Sequence, residues 1–395
     1  MIAWRRKMYI RRRIVAVVAR VGCAACVIAC GDSASDDDGD STSAGSDSGT
    51  ATTTATTAPT TGDDVGTSAG TATSGVDDSS SGSSGGPPAA SWTTSLEVDE
   101  TVGVFLSVWG DGAAPLYVVG GQTQPDQLTV GAMYRYDGVA WASEMLPSST
   151  FTLNWVFGVE DRRMAVGDFG EILMRDGDDG TWTELSCMTT LPLWGVWGAA
   201  ADDLWIVGGD GFDRDPILCH FDGVDVTQAV LPEPTFETHA LFKVWGTSAD
   251  DVYAVGDNGW IVHYDGVEWT EQASGTTSDL ISLWGTGPEE ILAVGGRASG
   301  VIARFDGTGW TATDQPKLPG LNGIFMDDDG TATVVGALGL AGRVAAGGSV
   351  VEVEPTGTQL TLHAVFGPPD DELYAVGGSL DQAPPYVGIV LTRPR

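Results

Sequence analysis

The chain has 395 residues, with 54 Asp plus Glu against 19 Lys plus Arg, a formal charge of −35, and 55 glycines and 14 tryptophans. Such negative charge repels phosphate backbones and excludes a nucleic-acid partner. Charged residues are only 18% of the total, and with so much Gly and Trp the composition is unlike a helical bundle or coiled coil.

The basic residues are unevenly placed. Seven of the 19 precede residue 21, and no acid precedes Asp32. Arg5, Arg6, Lys7, Arg11, Arg12 and Arg13 are followed by a stretch from Ile14 to Ala29 that is apolar except for Arg20. A basic segment, a short apolar run and small residues before a cut predict a secretory signal over residues 1–29. An uncleaved anchor is the lesser alternative, because sixteen residues broken by Arg20 are short for a hydrocarbon core of ~30 Å. The run ends Val27-Ile28-Ala29-Cys30, which resembles the lipobox of bacterial lipoproteins. The resemblance implies cleavage before Cys30, diacylglycerol on its thiol and acylation of the new amino group. It places the chain in the cell envelope, at the outer membrane or the cell surface. Several acyl chains hold where one does not, each buried methylene adding ~0.8 kcal/mol. Cys23 and Cys26 have C-x-x-C spacing, as in zinc or redox sites, but they would leave with the signal. Arg12-Arg13 faintly resembles a twin-arginine signal, and an ordinary basic segment accounts for it.

Gly31 to Ala90 is mainly Ser, Thr, Gly, Ala and Asp, with no aromatic residue, no Lys or Arg, and only Val65 and Val76 as larger aliphatics. Such a stretch cannot offset its ordering entropy by burial, so residues 30–90 are expected to form a disordered tether. A flexible coil of this length has an r.m.s. span of roughly 40–45 Å. A glycosylated Ser/Thr stalk is the alternative.

From Ser91 the chain repeats. One unit runs Leu241-Phe242-Lys243-Val244-Trp245-Gly246, then Val252-Tyr253-Ala254-Val255-Gly256, then Trp260-Ile261-Val262-His263-Tyr264-Asp265-Gly266, then Trp269-Thr270. These are four short β-rich runs parted by turn residues. The anchor aromatic of the first run recurs at Trp109, Phe157, Trp197, Trp245, Trp284, Phe325 and Phe366, at gaps of 48, 40, 48, 39, 41 and 41 residues. Four strands per ~40–45 residues is a β-propeller period, so residues 91–395 are expected to be an all-β, seven-bladed propeller.

Four residues before each anchor stands Phe105, Leu153, Leu193, Leu241, Leu280, Leu321 or Leu362, an apolar leader that a single blade cannot bury on its own. The second run ends Val-Gly in all seven repeats, implying φ > 0 or close backbone approach. The fourth run opens on Trp141, Trp182, Trp269 and Trp310, whereas Val226 and Val350 stand there in the third and sixth repeats. Trp92-Thr93 reads as a fourth strand without a blade, and the last repeat stops at Arg395 lacking one. The two defects complement each other, and closing the ring removes exposed sheet edges.

Leu116-Tyr117-Val118-Val119-Gly120-Gly121, Tyr134-Arg135-Tyr136-Asp137-Gly138, Trp141 and Met145-Leu146-Pro147 resemble a kelch repeat. The Gly-Gly doublet recurs at 208–209, 295–296 and 377–378, and is broken at Gly167-Asp168, Gly256-Asp257 and Gly336-Ala337. Asp265-Gly266-x-x-Trp269 also resembles the Asp-box turn of other bacterial propellers. The resemblance implies the fold; propellers host unrelated activities.

No zinc, haem or nucleophile-elbow motif appears, and neither cofactor nor metal is expected. His220 and His263 share a repeat position that Arg135 and Arg304 fill elsewhere, which marks a structural place. Asp202-Asp203, Asp250-Asp251, Asp370-Asp371 and Asp327-Asp328-Asp329 read as turn residues. Asp210, Asp213 and Asp215 are a weak cation candidate. Cys187 and Cys219 are either a disulfide bracing the third repeat or two isolated thiols.

Between leader and anchor lie two positions that differ from repeat to repeat: 106–107, 154–155, 194–195, 242–243, 281–282, 322–323 and 363–364. Innermost strands line a propeller's channel, so Asn154, Trp155, Trp194, Lys243, Asn322 and His363 become candidate ligand contacts, with ordinary inter-blade packing the alternative. The reading that results is a monomeric, lipid-anchored, non-catalytic binding module for a protein or glycan. The alternatives are an exported hydrolase or lyase acting on polysaccharide, with acids such as Glu171 or Asp257, and an envelope assembly factor.

Overall fold

The computed structural model describes residues 91–395 except 113, 124–128, 179, 213, 369–371 and 380–385. The signal segment, Cys30, the tether, Asp213 and the pair Asp370-Asp371 lie outside the described residues. Seven four-stranded antiparallel sheets form a β-propeller. The innermost strands are Val104–Gly110, Leu153–Val159, Leu193–Ala200, Leu241–Ser248, Leu280–Gly287, Leu321–Met326 and Thr361–Phe366 of blades 1 to 7. Each lies against the innermost strand of the next blade, and that of blade 7 lies against that of blade 1, so the ring is closed.

The closure uses both ends of the described chain. Thr93–Val98 pairs antiparallel with the last strand, Gly388–Arg393, with Thr93 opposite Thr392 and Val98 opposite Gly388. Trp92 is buried, with the Arg393 guanidinium 5.4 Å from its ring. Arg393 also donates to Glu354 of blade 6 at 2.7 Å, and Arg395 forms an ion pair with Asp327 at 2.9 Å. The last strand is thereby held to the blade before it.

The repeated residues pack as their positions demand. All seven leaders are fully buried. The anchors form a belt at the far end of the innermost strands: Trp109 to Phe157 at 6.1 Å, Phe157 to Trp197 at 6.5 Å, Trp245 to Trp284 at 6.4 Å, Trp284 to Phe325 at 5.1 Å, and Phe325 to Phe366 at 5.5 Å.

The outer seams explain the two repeats without a fourth-run Trp. Trp269 of blade 4 packs edge-on to Trp205 of blade 3 at 5.1 Å, and Trp310 of blade 5 edge-on to Tyr253 of blade 4 at 6.0 Å. Arg175 lies over both Tyr117 of blade 1 and Trp182 of blade 2. In blade 6 the residue at the Trp position is Val351, paired with Val344, and not the exposed Val350. Facing Val226 and Val351 in the second strand of the previous blade are Met164 and Leu292, and each valine packs into that residue's cluster. In blades 3 to 6 an aromatic faces an aromatic and an aliphatic faces an aliphatic, so these seams keep their volume. Blade 3 has a further brace. Cys187, on the segment entering it, is bonded to Cys219 on its third strand, and the Cys187 carbonyl accepts from Gln228 of its outer strand at 3.0 Å. A cross-link closing a loop of 32 residues stabilises by about 2–4 kcal/mol.

Candidate functional site

Every innermost strand carries one irregularity at the same place. The ladder register shifts between Phe105 and Ser107, Leu153 and Trp155, Leu193 and Gly195, Leu241 and Lys243, Leu280 and Ser282, Leu321 and Gly323, and Leu362 and Ala364. At this place one residue of each blade is left out of the pairing: Leu106, Asn154, Trp194, Phe242, Ile281, Asn322 or His363. Blades 3, 4 and 5 have a second shift at the other end of the strand, after Gly198, Gly246 and Gly285. A β-bulge releases a side chain from the ladder and re-aims it. Seven bulges in register place these residues at one level of the seven innermost strands, near the end where each strand begins, which is the candidate mouth.

The second strands end at the same level, each closing glycine opposite or next to a leader, and the turns that begin there come in two kinds. Blades 1, 3, 5 and 7 have the Gly-Gly doublet, whose second glycine takes positive φ at Gly121, Gly209, Gly296 and Gly378. Blades 2, 4 and 6 have a 3-10 turn instead, Asp168–Gly170, Asp257–Gly259 and Ala337–Gly339, centred on the left-handed Phe169, Asn258 and Leu338. The broken doublets are therefore a second loop design that alternates with the first.

Of the six candidate contacts, four occupy bulges and two follow them. Asn154 donates its amide to Asp168 Oδ1 and to the Leu193 carbonyl, both at 3.1 Å. Asn322 donates to the Leu362 carbonyl at 3.1 Å. Both amides thus tie one innermost strand to the next, which is a packing role. Trp194 donates from Nε1 to the Gly209 carbonyl at 2.8 Å, and its ring meets the Phe242 ring edge-on at 6.5 Å. His363 has its Nε2 buried without a partner, and burial pushes its pKa down to about 4, so the ring is neutral above that pH. Lys243 is buried, and its Nζ lies 2.8 Å from the centre of the Trp155 ring. That contact joins blade 4 to blade 2 past Gly195 of blade 3, which has no side chain to intervene. The structure pairs Trp155 with Lys243 and Trp194 with Phe242. It sets Asn322 and His363 in blades 6 and 7.

Two groups at the mouth escape sequence reasoning. Asp168 fills the first broken doublet, and burial raises its pKa to about 6 despite the Asn154 hydrogen bond. Arg297, paired with Asp279 at 2.6 Å, stands over the Phe242 ring at 5.6 Å. The signal for Asp168 is the interrupted doublet itself. Arg297 follows an unbroken doublet with no repeat signature, so only the fold reveals it.

The other polar groups singled out by the sequence serve the scaffold. His220 Nε2 meets Asp203 at 2.6 Å and His263 Nε2 meets Asp251 at 2.8 Å, with each imidazole against the ring of Trp205 or Tyr253 at 4.3 Å. Arg304 pairs with Glu290 at 3.0 Å. Asp257 accepts from the Thr238 hydroxyl and from the backbone N–H groups of His239 and Ala240, holding the segment that enters blade 4. Glu171 ends the first 3-10 turn, and burial raises its pKa. Asp210 pairs with Arg214 at 3.5 Å. Among the described residues no cluster of three His, Cys, Asp or Glu could hold a metal ion.

No family model matches the chain. No curated protein matches it in sequence. Solved structures do match in shape. A structure titled as YCF48 bound to D1 peptide is 12% identical with a TM-score of 0.55, covering 77% of this chain and 97% of its own. YCF48 from Cyanidioschyzon merolae is 13% identical with a TM-score of 0.57, over 77% of this chain and 99% of that one. The WD40 β-propeller domain of Doa1 is 10% identical with a TM-score of 0.55, over 76% and 96%. At such identities the likeness establishes the seven-bladed fold.

Proposed function

We propose that this protein is a non-catalytic interaction module whose propeller binds a protein segment at the bulge-lined mouth of its channel. The observation that carries the reading is the register of the seven bulges, which frees one side chain per blade from the ladder and gathers an aromatic pair, Trp194 and Phe242. Aromatic surface with a few oriented polar groups is what ligand sites consist of. A fold neighbour titled as bound to a D1 peptide lends support to a peptide ligand over a glycan. In this reading the signal is cleaved, Cys30 carries the lipid, and residues 31–90 tether the propeller to a membrane of the cell envelope.

The test is retention of a random peptide library on the immobilised full chain. Trp194→Ala with Phe242→Ala is expected to weaken retention at least tenfold, with an unchanged melting temperature. Undiminished retention by that variant would rule out the mouth as the site. The hydrolytic alternative rests on Asp168, whose raised pKa suits a general acid. Turnover in a polysaccharide screen, lost in Asp168→Asn, would favour it.

A further inference from the structure

Four basic side chains of the propeller are more than nine-tenths buried: Arg163, Arg175, Lys243 and Arg393. Each arginine has a carboxylate. Arg163 meets Asp111 at 2.9 Å, Arg175 meets Glu144 at 2.9 Å, and Arg393 meets Glu354. Lys243 has none among the described residues. Its amine faces the Trp155 indole, and burial alone drives its pKa well below the usual lysine range.

That exception stands out against the rest of the chain. The sequence has 54 acids and three lysines, Lys7, Lys243 and Lys317. The fourteen variable positions of the innermost strands hold no Asp or Glu at all. An aromatic face offsets only part of the cost of burying an ammonium. A buried cation is ordinarily completed by an anion, and here the protein supplies one everywhere except at the channel. At the corresponding bulge of blade 7, His363 keeps a buried Nε2 without a partner. Lys243 thus lacks an anion and His363 a partner for its Nε2, whereas Asn154 and Asn322 donate to backbone carbonyls of the next blade.

We infer that the channel mouth receives a carboxylate, seated against the Lys243 amine on the floor formed by Trp155. The inference rests on the peptide reading above and narrows it. The carboxylate comes from a peptide C-terminus or from an Asp or Glu side chain, and both offer the same planar anion. Trp194 and Phe242, at the neighbouring bulges, contact the residues that lead into it.

The experiment uses the full chain and synthetic octapeptides in four series. The C-terminus is a free acid or an amide, and internal acidic residues are present or replaced by Asn and Gln. Peptides with a carboxylate are expected to bind at least tenfold more tightly than their neutral counterparts. In Lys243→Met that preference is expected to fall below twofold. The series that loses its advantage identifies the source of the anion. Because Lys243→Met alters a buried site, a second measurement uses the unaltered protein. With 13C-labelled lysine, sodium acetate alone is expected to move the Lys243 ε-carbon resonance and leave that of Lys317 in place. Peptides that bind without an acid preference, or an acid preference that persists in Lys243→Met, would overturn the inference and leave the peptide reading intact. A Lys243 resonance unmoved by acetate and by acid peptides overturns it as well. If no peptide of any series binds while acetate still moves Lys243, the carboxylate site stands and the peptide reading fails.

Discussion

Two single residues at the mouth give the fold opposite responses to pH. Asp168 holds its proton up to about pH 6 in the fold against an ordinary value of 3.8, because burial disfavours its charged form. The folded state therefore binds that proton more tightly than the unfolded chain, and the stability it contributes declines as pH rises from about 4 to about 6. His363 is the reverse. Its pKa falls from 6.5 to about 4 through burial, so the fold loses stability as pH falls through that interval. Replacing Asp168 by Asn keeps an oxygen to accept from Asn154 and removes the charge. The variant is expected to exceed the unaltered protein at pH 7 by on the order of 1–2 kcal/mol, with the advantage vanishing near pH 4. Urea midpoints across that range measure it, and a gap that does not change with pH would show that Asp168 is not the titrating group.

The repeating element owes its regularity to contacts more than to strand propensity. The glycine closing each second strand is the clearest case. At Gly167, Gly256 and Gly336 the φ is −161°, −155° and −169°, extended backbone open to any residue. The requirement is space. A Cβ at Gly256 would lie 2.0 Å from the Ala240 carbonyl oxygen, and the corresponding glycines of the other blades meet the carbonyl of their own entering segment in the same way. Gly256→Ala is therefore expected to cost about 2–3 kcal/mol, read as a lowered melting temperature. A loss no greater than that of a surface Gly→Ala change would mean the entering segment yields freely. The outer seams follow the same logic. In blades 3 to 6 Trp faces Trp or Tyr, and Val faces Met or Leu, so the repeats that look defective singly are complementary in pairs.

At the scale of the whole molecule, the ring leaves no blade with an unpaired inner face, and the strand opening on Thr93 supplies the fourth strand of blade 7. Both termini of the propeller consequently meet in one blade, from which the proposed tether departs. If Cys30 bears the lipid, Cys30→Ser should move the protein from the salt-washed membrane fraction to the soluble fraction. Retention of that variant in the membrane would instead point to an uncleaved apolar segment as the anchor.

The blade count, the closure and the positions of the leaders, anchors and glycines were legible because they recur. A contact repeated seven times imposes one residue type at a fixed period, and a period is visible in one dimension. The pairs at 154–155 and 242–243 stood out for the opposite reason, since they differ from repeat to repeat where the leaders and anchors do not. What those side chains do was settled only by the tertiary structure. The bulges depend on the pairing of two strands, the alternation of loops on the turn each backbone takes, and the meeting of Lys243 with Trp155 on an approach across the ring between residues 88 positions apart in the chain. Contacts made once, between distant segments, leave no period to read.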